Sequence, residues 1–360
     1  MQISHVWTNI PNEGERKMKR ATLAVMVLIL CLFTNGLVSA RAEHVIKYAY
    51  VEPPKDISPE HVLASSFKTE IERLTGGRVQ VELYPGGILG DTEEMIEQVM
   101  DGTLHIAASA DAKLSLFYPE IQVLSIPYLV TSHIVAYRLL DSKFFDEMVE
   151  DMATKTGLRI LMRGENGGFR SFTNKVRPIA KPDDIAGLKF RVMNIPLLMN
   201  MVKDLGATPI PMGMTEVYTA LQTGVVDGQE NAPLISRVWS MHEVQGYYTL
   251  DNHTYSATLA VANDVWFRNL PAEVRQAVIQ AAGVAQTVQR AQSRRLEGDT
   301  VAYLESQGME FNIPSPETVT QFRELTQPSA IKWLEQQIDA KWINGVITEV
   351  EVIEEGLCLR

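Results

Sequence analysis

The segment from residue 187 to 233 constrains the fold more than any other part of the chain. It reads GLKFRVMNIPLLMNMVKDLGATPIPMGMTEVYTALQTGVVDGQENAP. Residues 188–192 alternate as in a strand, residues 197–205 and 215–223 have helical periodicity, and a short strand separates the two helices. An acidic and amide-rich turn at residues 227–231 ends the segment. Such alternation of strands and short helices is typical of an α/β fold.

The same alternation is found in the N-terminal half. Residues 45–51, 79–84, 104–108 and 158–162 have the patterns of strands, and helices are predicted between the first three of them. The first helix begins at Pro59 and carries Glu60 in its first turn. This order predicts an α/β fold with largely parallel sheets. Residues 164–173, which include three glycines, are predicted to form a loop.

The region 271–307 predicts one long helix, because only Gly283 and Gly298 interrupt a helical pattern. A helix of about 35 residues is roughly 50 Å long, which is enough to brace two lobes. Beyond Ile313 the pattern is weak, and a peripheral helical tail is expected there.

Residues 1–42 are predicted to be a secretory signal peptide. Basic residues lie between positions 16 and 20, an apolar run covers residues 21–33, and small residues follow at 38–42. The apolar run is shorter than the roughly 20 residues that a membrane-spanning helix needs. An uncleaved membrane anchor is the alternative, and Met18 is a second candidate start of the chain.

Charge and cysteine content exclude several classes of function. The net charge of −11 at pH 7 disfavours binding to nucleic acid or to anionic lipid surfaces. Of the two cysteines, only Cys358 lies beyond the predicted signal peptide, so neither a disulfide framework nor a cysteine metal site is expected. The length of 360 residues indicates about two domains.

The chain shows no catalytic signature. It contains no GxSxG, P-loop, HExxH or CxxC motif, and its seven histidines lack metal-ligand spacing. We therefore expect no metal, no cofactor and no enzymatic activity. A periplasmic hydrolase or isomerase is the alternative, but it would need an acid/base pair near residue 191, and no His or Cys lies there.

Three polar residues are candidates for ligand binding from their positions alone. Arg191 lies near the carboxyl end of a strand, where α/β sheets bind ligands, and a guanidinium can hold a carboxylate with two parallel hydrogen bonds. Arg170 follows two glycines that would let the backbone approach a ligand. Asn231 lies at a strand-to-helix turn. The alternatives are a structurally paired or exposed arginine for Arg191, a surface charge for Arg170 and a helix cap for Asn231.

Several spaced motifs resemble the solute-binding proteins of tripartite ATP-independent periplasmic (TRAP) transporters, the DctP family. They are YPGGILG at 84–90, FYPE at 117–120, GLKFRV at 187–192, GATP at 206–209, EVYTALQ at 216–222 and VDGQEN at 226–231. The resemblance covers about residues 45–310 and keeps the motifs in the family's order.

The resemblance implies a two-lobed periplasmic binding protein, a Venus-flytrap clamp, with a long helix spanning both lobes. Lobe I is expected to comprise residues 43–165 and about 256–290. Lobe II is expected to comprise residues 166–255 and about 291–360. The protein would be a periplasmic monomer that captures a small organic acid and delivers it to the TRAP permease subunits in the membrane.

The resemblance also assigns roles within the site. Arg191 matches the arginine that pairs with the ligand carboxylate, Arg170 matches a second arginine near that group, and Asn231 matches an amide that contacts it. Met214 stands where many relatives carry an aromatic wall residue. Asp111 lies where relatives vary with the polar tail of the ligand, and Tyr255 is a further candidate wall residue. Core packing for Met214 and a surface position for Asp111 are the alternatives.

The expected ligand is a carboxylate, with a sugar acid such as a uronate or aldonate as the first choice. A C4-dicarboxylate, a keto acid or an aromatic acid remains open, because two arginines can serve one carboxylate. A ligand-reporting partner of a sensor kinase is a second alternative that the same clamp would suit.

Overall fold

The computed structural model describes residues 43–359, together with Glu13, Gly14, Met18 and Thr22. The predicted signal peptide at residues 1–42 therefore lies outside the described residues, apart from those four positions. In the described part the strands are β1 (His44–Ala49), β2 (Val79–Tyr84), β3 (Ile106–Ala110), β4 (Leu158–Asn174), β5 (Lys189–Val192), β6 (Thr208–Pro211), β7 (Gly228–Asn231), β8 (Tyr247–Asn263) and β9 (Glu310–Asn312).

Helices alternate with these strands in the N-terminal two thirds of the chain and dominate the rest. Short 3-10 helices at Asp111–Leu116 and Pro119–Ser125 follow β3. Between residues 43 and 359 the α-helices are α1 (Pro59–Leu74), α2 (Thr92–Asp101), α3 (His133–Leu140), α4 (Lys143–Thr156), α5 (Pro196–Asp204), α6 (Met214–Thr223), α7 (Pro233–Val238), α8 (Asp264–Asn269), α9 (Ala272–Ser306), α10 (Pro316–Leu334) and α11 (Ala340–Gly356).

All these strands belong to one sheet, in the order β2-β1-β3-β8-β4-β7-β5-β6, with β9 beside β8. β1 runs parallel to β2 and β3, and β5 runs parallel to β6 and β7. The central pairs β3–β8, β8–β4 and β4–β7 are antiparallel. The prediction of parallel strands is therefore correct at both ends of the sheet and wrong at its centre, because hydrophobic alternation does not report strand direction.

The glycine-rich segment predicted as a loop is instead part of β4, which pairs with β8 from Leu158 to Asn174. The register shifts between Glu165 and Gly168, where the φ angles of Gly167 and Gly168 are +73° and +89°. A side chain on Gly168 would begin 2.7 Å from the His133 ring. The glycines thus mark a β-bulge and a close packing contact rather than the end of the strand.

Local signals place α2 where the sequence predicts it. Oδ1 of Asp91 accepts hydrogen bonds from the N–H groups of Glu93 and Glu94, and the Glu94 carboxylate accepts from the N–H of Asp91 over 2.9 Å. Gly102 ends the helix with a φ of +84°. This reciprocal capping satisfies backbone donors at the start of the helix and fixes its entry beside the cleft described below.

The predicted long helix is confirmed as α9, which has 35 residues and is thus about 50 Å long. It packs against α1, β4 and α7, and it therefore joins elements from both ends of the sheet. Its buried face is built largely from small apolar residues, which let the helix lie close to its neighbours: Val274, Ala277, Val278, Ala281, Ala282 and Ala285.

The C-terminal helices are not a peripheral tail, and that prediction is wrong. Phe322 of α10 and Trp342 of α11 are among the largest fully or nearly fully buried side chains, and both belong to the main hydrophobic core. Trp342 makes an edge contact with Phe144 of α4, with ring centroids 5.7 Å apart. Trp342, Val346 and Val350 recur every four residues, which is the spacing of a buried helix face and is visible in the sequence.

Among the described residues, no helix has both the length and the apolar content needed to cross a membrane.

Candidate ligand-binding cleft

A cleft opens between the two ends of the sheet, and residues from both ends line it. It lies among the loop after β1, the start of α2, the end of β3, the β4 bulge, β5, the start of α6, the end of β7 and α7. Its charged and amide lining includes Glu52, Glu60, Lys113, Asn166, Arg170, Arg191 and Asn231, and its apolar lining includes Val51, Met193, Met214, Ile235 and Trp239.

Arg191 of β5 is a buried cation that contacts no carboxylate in the part of the chain that the structure describes. Its side chain is 1% exposed, and its Nε and Nη2 both donate to the backbone carbonyl of Met212, over 3.2 and 2.9 Å. No carboxylate of residues 43–359 lies within 4.0 Å of the guanidinium nitrogens. Burial lowers the pKa of Arg191 to about 10, although Glu230 raises it, so the group still carries its charge at neutral pH.

Arg170 of β4 is also buried, but Glu230 of β7 neutralises it. Nε of Arg170 donates to Oε2 of Glu230 over 2.5 Å, and Nη2 donates to Oε1 over 2.8 Å and to the Glu230 carbonyl over 2.7 Å. Phe172 of β4 pairs with Glu230 of β7, and this register brings the side chains of Arg170 and Glu230 together. Burial raises the pKa of Glu230, but the charge of Arg170 and the hydrogen bond from His253 lower it to about 2.

His253 of β8 extends this network away from the cleft. Its Nε2 lies 3.3 Å from Oε2 of Glu230, and its Nδ1 lies 2.9 Å from Oδ2 of Asp251. The Tyr128 hydroxyl also donates to Oδ2 of Asp251. Burial lowers the pKa of His253, yet Asp251 and Glu230 raise it to about 9. The imidazolium donates to both carboxylates and holds Glu230 toward Arg170.

Two amide side chains add hydrogen-bonding capacity to the cleft. Asn231 at the end of β7 donates through Nδ2 to Oε1 of Gln229 over 2.7 Å, which uses one of its two N–H donors. Asn166 in the β4 bulge donates to Ser256 over 3.3 Å, but its buried Oδ1 has no partner among the described residues. A ligand hydroxyl would satisfy that oxygen.

The start of α6 forms another part of the wall. Gly213, Met214 and Thr215 line the cleft, and no side chain caps this helix. The partial positive charge of a helix N-terminus therefore acts in the same cleft as Arg191 and favours an anion there. Met214 lines the cleft together with Met193, which gives this wall flexible thioether side chains.

Asp111 and Tyr255 are not among the residues that line the cleft. Oδ1 of Asp111 accepts from the Ser256 hydroxyl and from the N–H of Ala257, both over 3.2 Å. Tyr255 donates to the buried Glu165 over 3.1 Å. The structure thus brings Arg170, Arg191, Asn231 and Met214 together and leaves the other two candidates in the packing around the site.

Sequence reasoning missed the opposite wall of the cleft. Glu52 follows β1 and Glu60 lies in the first turn of α1, and both side chains are 3% exposed. Glu52 lies just beyond the carboxyl end of a parallel strand, a position that would have indicated a ligand site. Lys113 lies two residues beyond the predicted Asp111, and its Nζ is paired with Glu93 over 2.5 Å.

The two glutamates bind each other's backbone. Oε2 of Glu60 accepts from the N–H groups of Val51 and Glu52 over 3.1 and 3.0 Å, and Oε2 of Glu52 accepts from the N–H of Glu60 over 3.0 Å. Burial raises the pKa of Glu60 to about 7. Burial and the charge of Glu60 raise the pKa of Glu52 well above its usual value.

The cleft has the chemistry of a binding site for a small anion with polar substituents. One buried guanidinium has no carboxylate in contact with it among the described residues, an amide and a helix N-terminus lie with it, and two glutamates line the same cleft. Among the described residues, no group of three or more His, Cys, Asp or Glu side chains could hold a metal ion.

Residues 49–337 match the family of bacterial extracellular solute-binding proteins, family 7, also called DctP. The chain belongs to the DctP family. The 2,3-diketo-L-gulonate-binding periplasmic protein YiaO of Escherichia coli (strain K12) is 33% identical to it over 276 residues, which cover 76% of this chain and 81% of that protein.

Solved structures agree with this family assignment. The sugar acid binding protein DctPAm from Advenella mimigardefordensis strain DPN7T, in complex with galactonate, has a TM-score of 0.81 at 31% identity and covers 86% of this chain and 98% of its own. A TRAP periplasmic solute binding protein from Sulfurospirillum deleyianum DSM 6946, with bound succinate, has a TM-score of 0.79 at 27% identity. The match covers 87% of this chain and 100% of that chain.

This DctP-family chain is therefore a TRAP solute-binding protein with the two-lobed α/β fold of these structures. The predicted family and fold class are confirmed. Members of the family are periplasmic, bind small carboxylates and work with TRAP permeases.

Proposed function

We propose that this protein captures a small organic acid, with a sugar acid as the favoured class, and delivers it to a TRAP permease. Arg191 is the observation that carries the proposal, because it is a buried charge without a carboxylate partner among the described residues. Isolated buried charges are costly, and a ligand carboxylate supplies the missing counter-charge. The planar guanidinium holds that carboxylate through charge-assisted hydrogen bonds.

Arg170 and Asn231 support this anchor in different ways. Because Glu230 already neutralises Arg170, we assign Arg170 a secondary role in which its Nη1, which has no hydrogen-bond partner among the described residues, reaches the carboxylate. Asn231 donates the remaining N–H of its amide, and the N-terminus of α6 adds its partial charge. Met214 packs against the carbon skeleton of the ligand.

A clamp explains how these residues retain the ligand. We propose that lobe I comprises residues 43–165 and about 256–290, and that lobe II comprises residues 166–255 and about 291–360, except for α11. The packing of α11 against α3 and α4 supports placing this helix with lobe I. Contacts from both lobes to one bound acid would stabilise the closed state over the open one.

We further propose that residues 1–42 direct the chain to the periplasm and are removed there, and that the mature protein acts as a monomer. We propose that binding takes place without turnover, because the chain belongs to a family of solute-binding proteins.

A thermal-shift screen of the exported protein against organic acids tests the proposal, with Arg191→Met measured in parallel. A ligand at about 100 times its Kd adds roughly 2.7 kcal/mol of stability. We expect sugar acids to stabilise the parent protein and Arg191→Met to lose the shift. The matched control is Arg73→Met, because Arg73 is an exposed arginine that pairs with Glu70 on α1. This variant should keep the ligand-induced thermal shift. An unchanged shift in Arg191→Met would place the carboxylate elsewhere.

A further inference from the structure

The Glu52–Glu60 pair and Arg191 belong to opposite walls of one cleft. Glu52 follows β1, the second strand in the sheet order, whereas Arg191 lies on β5, the seventh. Both walls line the same cleft. A ligand that is bound by its carboxylate at Arg191 and extends across the cleft would bring the other end of its carbon chain to the two glutamates.

Each glutamate has one carboxylate oxygen available to bind the far end of the ligand. The backbone N–H groups use only the Oε2 atoms, and no described residue donates a hydrogen bond to either Oε1. No Lys, Arg or His nitrogen of residues 43–359 lies within 4.0 Å of either carboxylate. The pair is thus a buried acidic group whose remaining hydrogen-bonding capacity is unused.

We propose that the Glu52–Glu60 pair selects ligands with a hydroxylated tail and excludes acids with a second carboxylate. The inference rests on the proposed function, because Arg191 must hold the first carboxylate. Two neighbouring buried carboxyl groups do not both ionise readily, so the pair retains a proton together with negative charge. It therefore both accepts hydrogen bonds from hydroxyl groups and donates one to them.

A second carboxylate would add another negative charge to a wall that is already acidic. Asp91 lines this part of the cleft, and the one lysine among the described lining residues, Lys113, is neutralised by Glu93. His61 of α1 is bonded to the Tyr50 hydroxyl, and burial lowers the pKa of its ring, so it is neutral at pH 7.

The remaining titratable neighbours supply no cation either. Tyr48 of β1 and Tyr50, which follows the strand, lie near the pair, and burial raises the pKa of both phenols, which keeps them neutral. The arginines of the opposite wall, Arg170 and Arg191, are engaged by Glu230 and by the first carboxylate. Succinate-like ligands would thus place charge against charge in a buried site, which is strongly unfavourable.

Isothermal titration calorimetry of galactonate and succinate tests the proposal on the exported protein and on three variants. Glu52→Gln and Glu60→Gln remove the charge but keep an oxygen that can accept the backbone hydrogen bonds. Glu354→Gln is the matched control, because Glu354 is a buried carboxylate bonded to Thr131 outside the cleft. We expect the parent protein and the control to prefer galactonate, and each cleft variant to reduce that preference about tenfold.

Lowering the pH gives an independent readout. Between pH 8 and pH 6.5, protonation of the pair should raise succinate affinity relative to galactonate in the parent protein, and this trend should vanish in Glu52→Gln/Glu60→Gln. An unchanged galactonate-to-succinate ratio in both single variants, or a parent protein that prefers succinate, overturns the inference. If no acid binds, or if Arg191→Met binds both acids as the parent does, the proposed function itself fails.

Discussion

Arg170 and Glu230 form a buried bidentate ion pair at the edge of the cleft, with nitrogen–oxygen distances of 2.5 and 2.8 Å. Arg191 lines the same cleft but has only a backbone carbonyl as partner among the described residues. The two arginines are therefore not equivalent. Arg170 is paired within the protein, whereas we propose that a ligand carboxylate supplies the partner of Arg191.

Arg191→Met is expected to leave the ligand-free protein as stable as the parent or more stable. The substitution removes an uncompensated buried charge and keeps most of the side-chain volume. Affinity for an organic acid should fall about 100-fold or more, because charge-assisted hydrogen bonds to the carboxylate are lost. Thermal melts without ligand and calorimetric titrations measure the two effects. A large loss of stability without ligand would contradict this view of Arg191.

Arg170→Met should destabilise the protein by about 3–5 kcal/mol, because it leaves Glu230 as an unpaired buried charge. At this chain size, a loss of that magnitude lowers Tm by roughly 10 °C. Adding Glu230→Gln should restore much of the stability, so a double-mutant cycle should report strong coupling between the two positions. Additive effects of the two substitutions would show that the ion pair is energetically unimportant.

His253 predicts a fall in stability at alkaline pH. Its pKa rises from an ordinary 6.5 to about 9 in the folded protein, so its charged form contributes stability that is complete below pH 6.5. That contribution is lost as the pH rises through 9. His253→Gln should therefore be least stable relative to the parent at pH 6 and closest to it near pH 10. Chemical denaturation across this range measures the difference, and a constant difference would exclude the linkage.

Glu60 predicts a loss of stability in a lower pH window. Its folded pKa is about 7, above the ordinary value of 4.5, so the folded state keeps a proton that the unfolded state releases between these values. Stability should fall as the pH rises from 4.5 to 7. Glu60→Gln removes this loss and should be more stable than the parent at pH 8, with the gap closing near pH 4.5. A parent-like pH profile for the variant would refute the raised pKa.

Trp342→Ala should cost about 3–5 kcal/mol, because the side chain is 2% exposed and packs into the main core. Ligand affinity per folded molecule should stay unchanged, since α11 does not line the cleft. Denaturant melts and titrations below the melting range test both parts. A negligible stability change would mean that α11 is the peripheral tail expected from the sequence.

Local sequence signals predicted much of the fold, and long-range pairing explains what they missed. The capping box at Asp91, the long helix α9 and the strand around Arg191 follow from short-range patterns. The antiparallel pairing of β4 with β8 joins residues that are 73 to 105 positions apart, and no local pattern encodes it. The β4 glycines therefore resembled a loop, although they form a bulge within a strand.

Part of the site was predictable from local motifs. Arg191 and Asn231 were candidates from the segment 187–233 and Arg170 from the glycine-containing segment 164–173, and the family resemblance supported all three. Met214 was a candidate from the resemblance alone. The acidic wall was not predicted, because Glu60 has the ordinary appearance of a first-turn helix residue. Its burial beside Glu52 arises only when α1 folds back onto β1, so the pair exists in the tertiary structure alone.

A crystal structure of the exported protein with bound galactonate shows directly whether Arg191 is the carboxylate anchor. We expect the ligand carboxylate within about 3 Å of the Arg191 guanidinium, with Asn231 donating to the same group. The hydroxyl groups should lie toward Glu52 and Glu60. A carboxylate bound at Lys113 or elsewhere, with Arg191 still bonded only to Met212, would show that Arg191 is not the anchor.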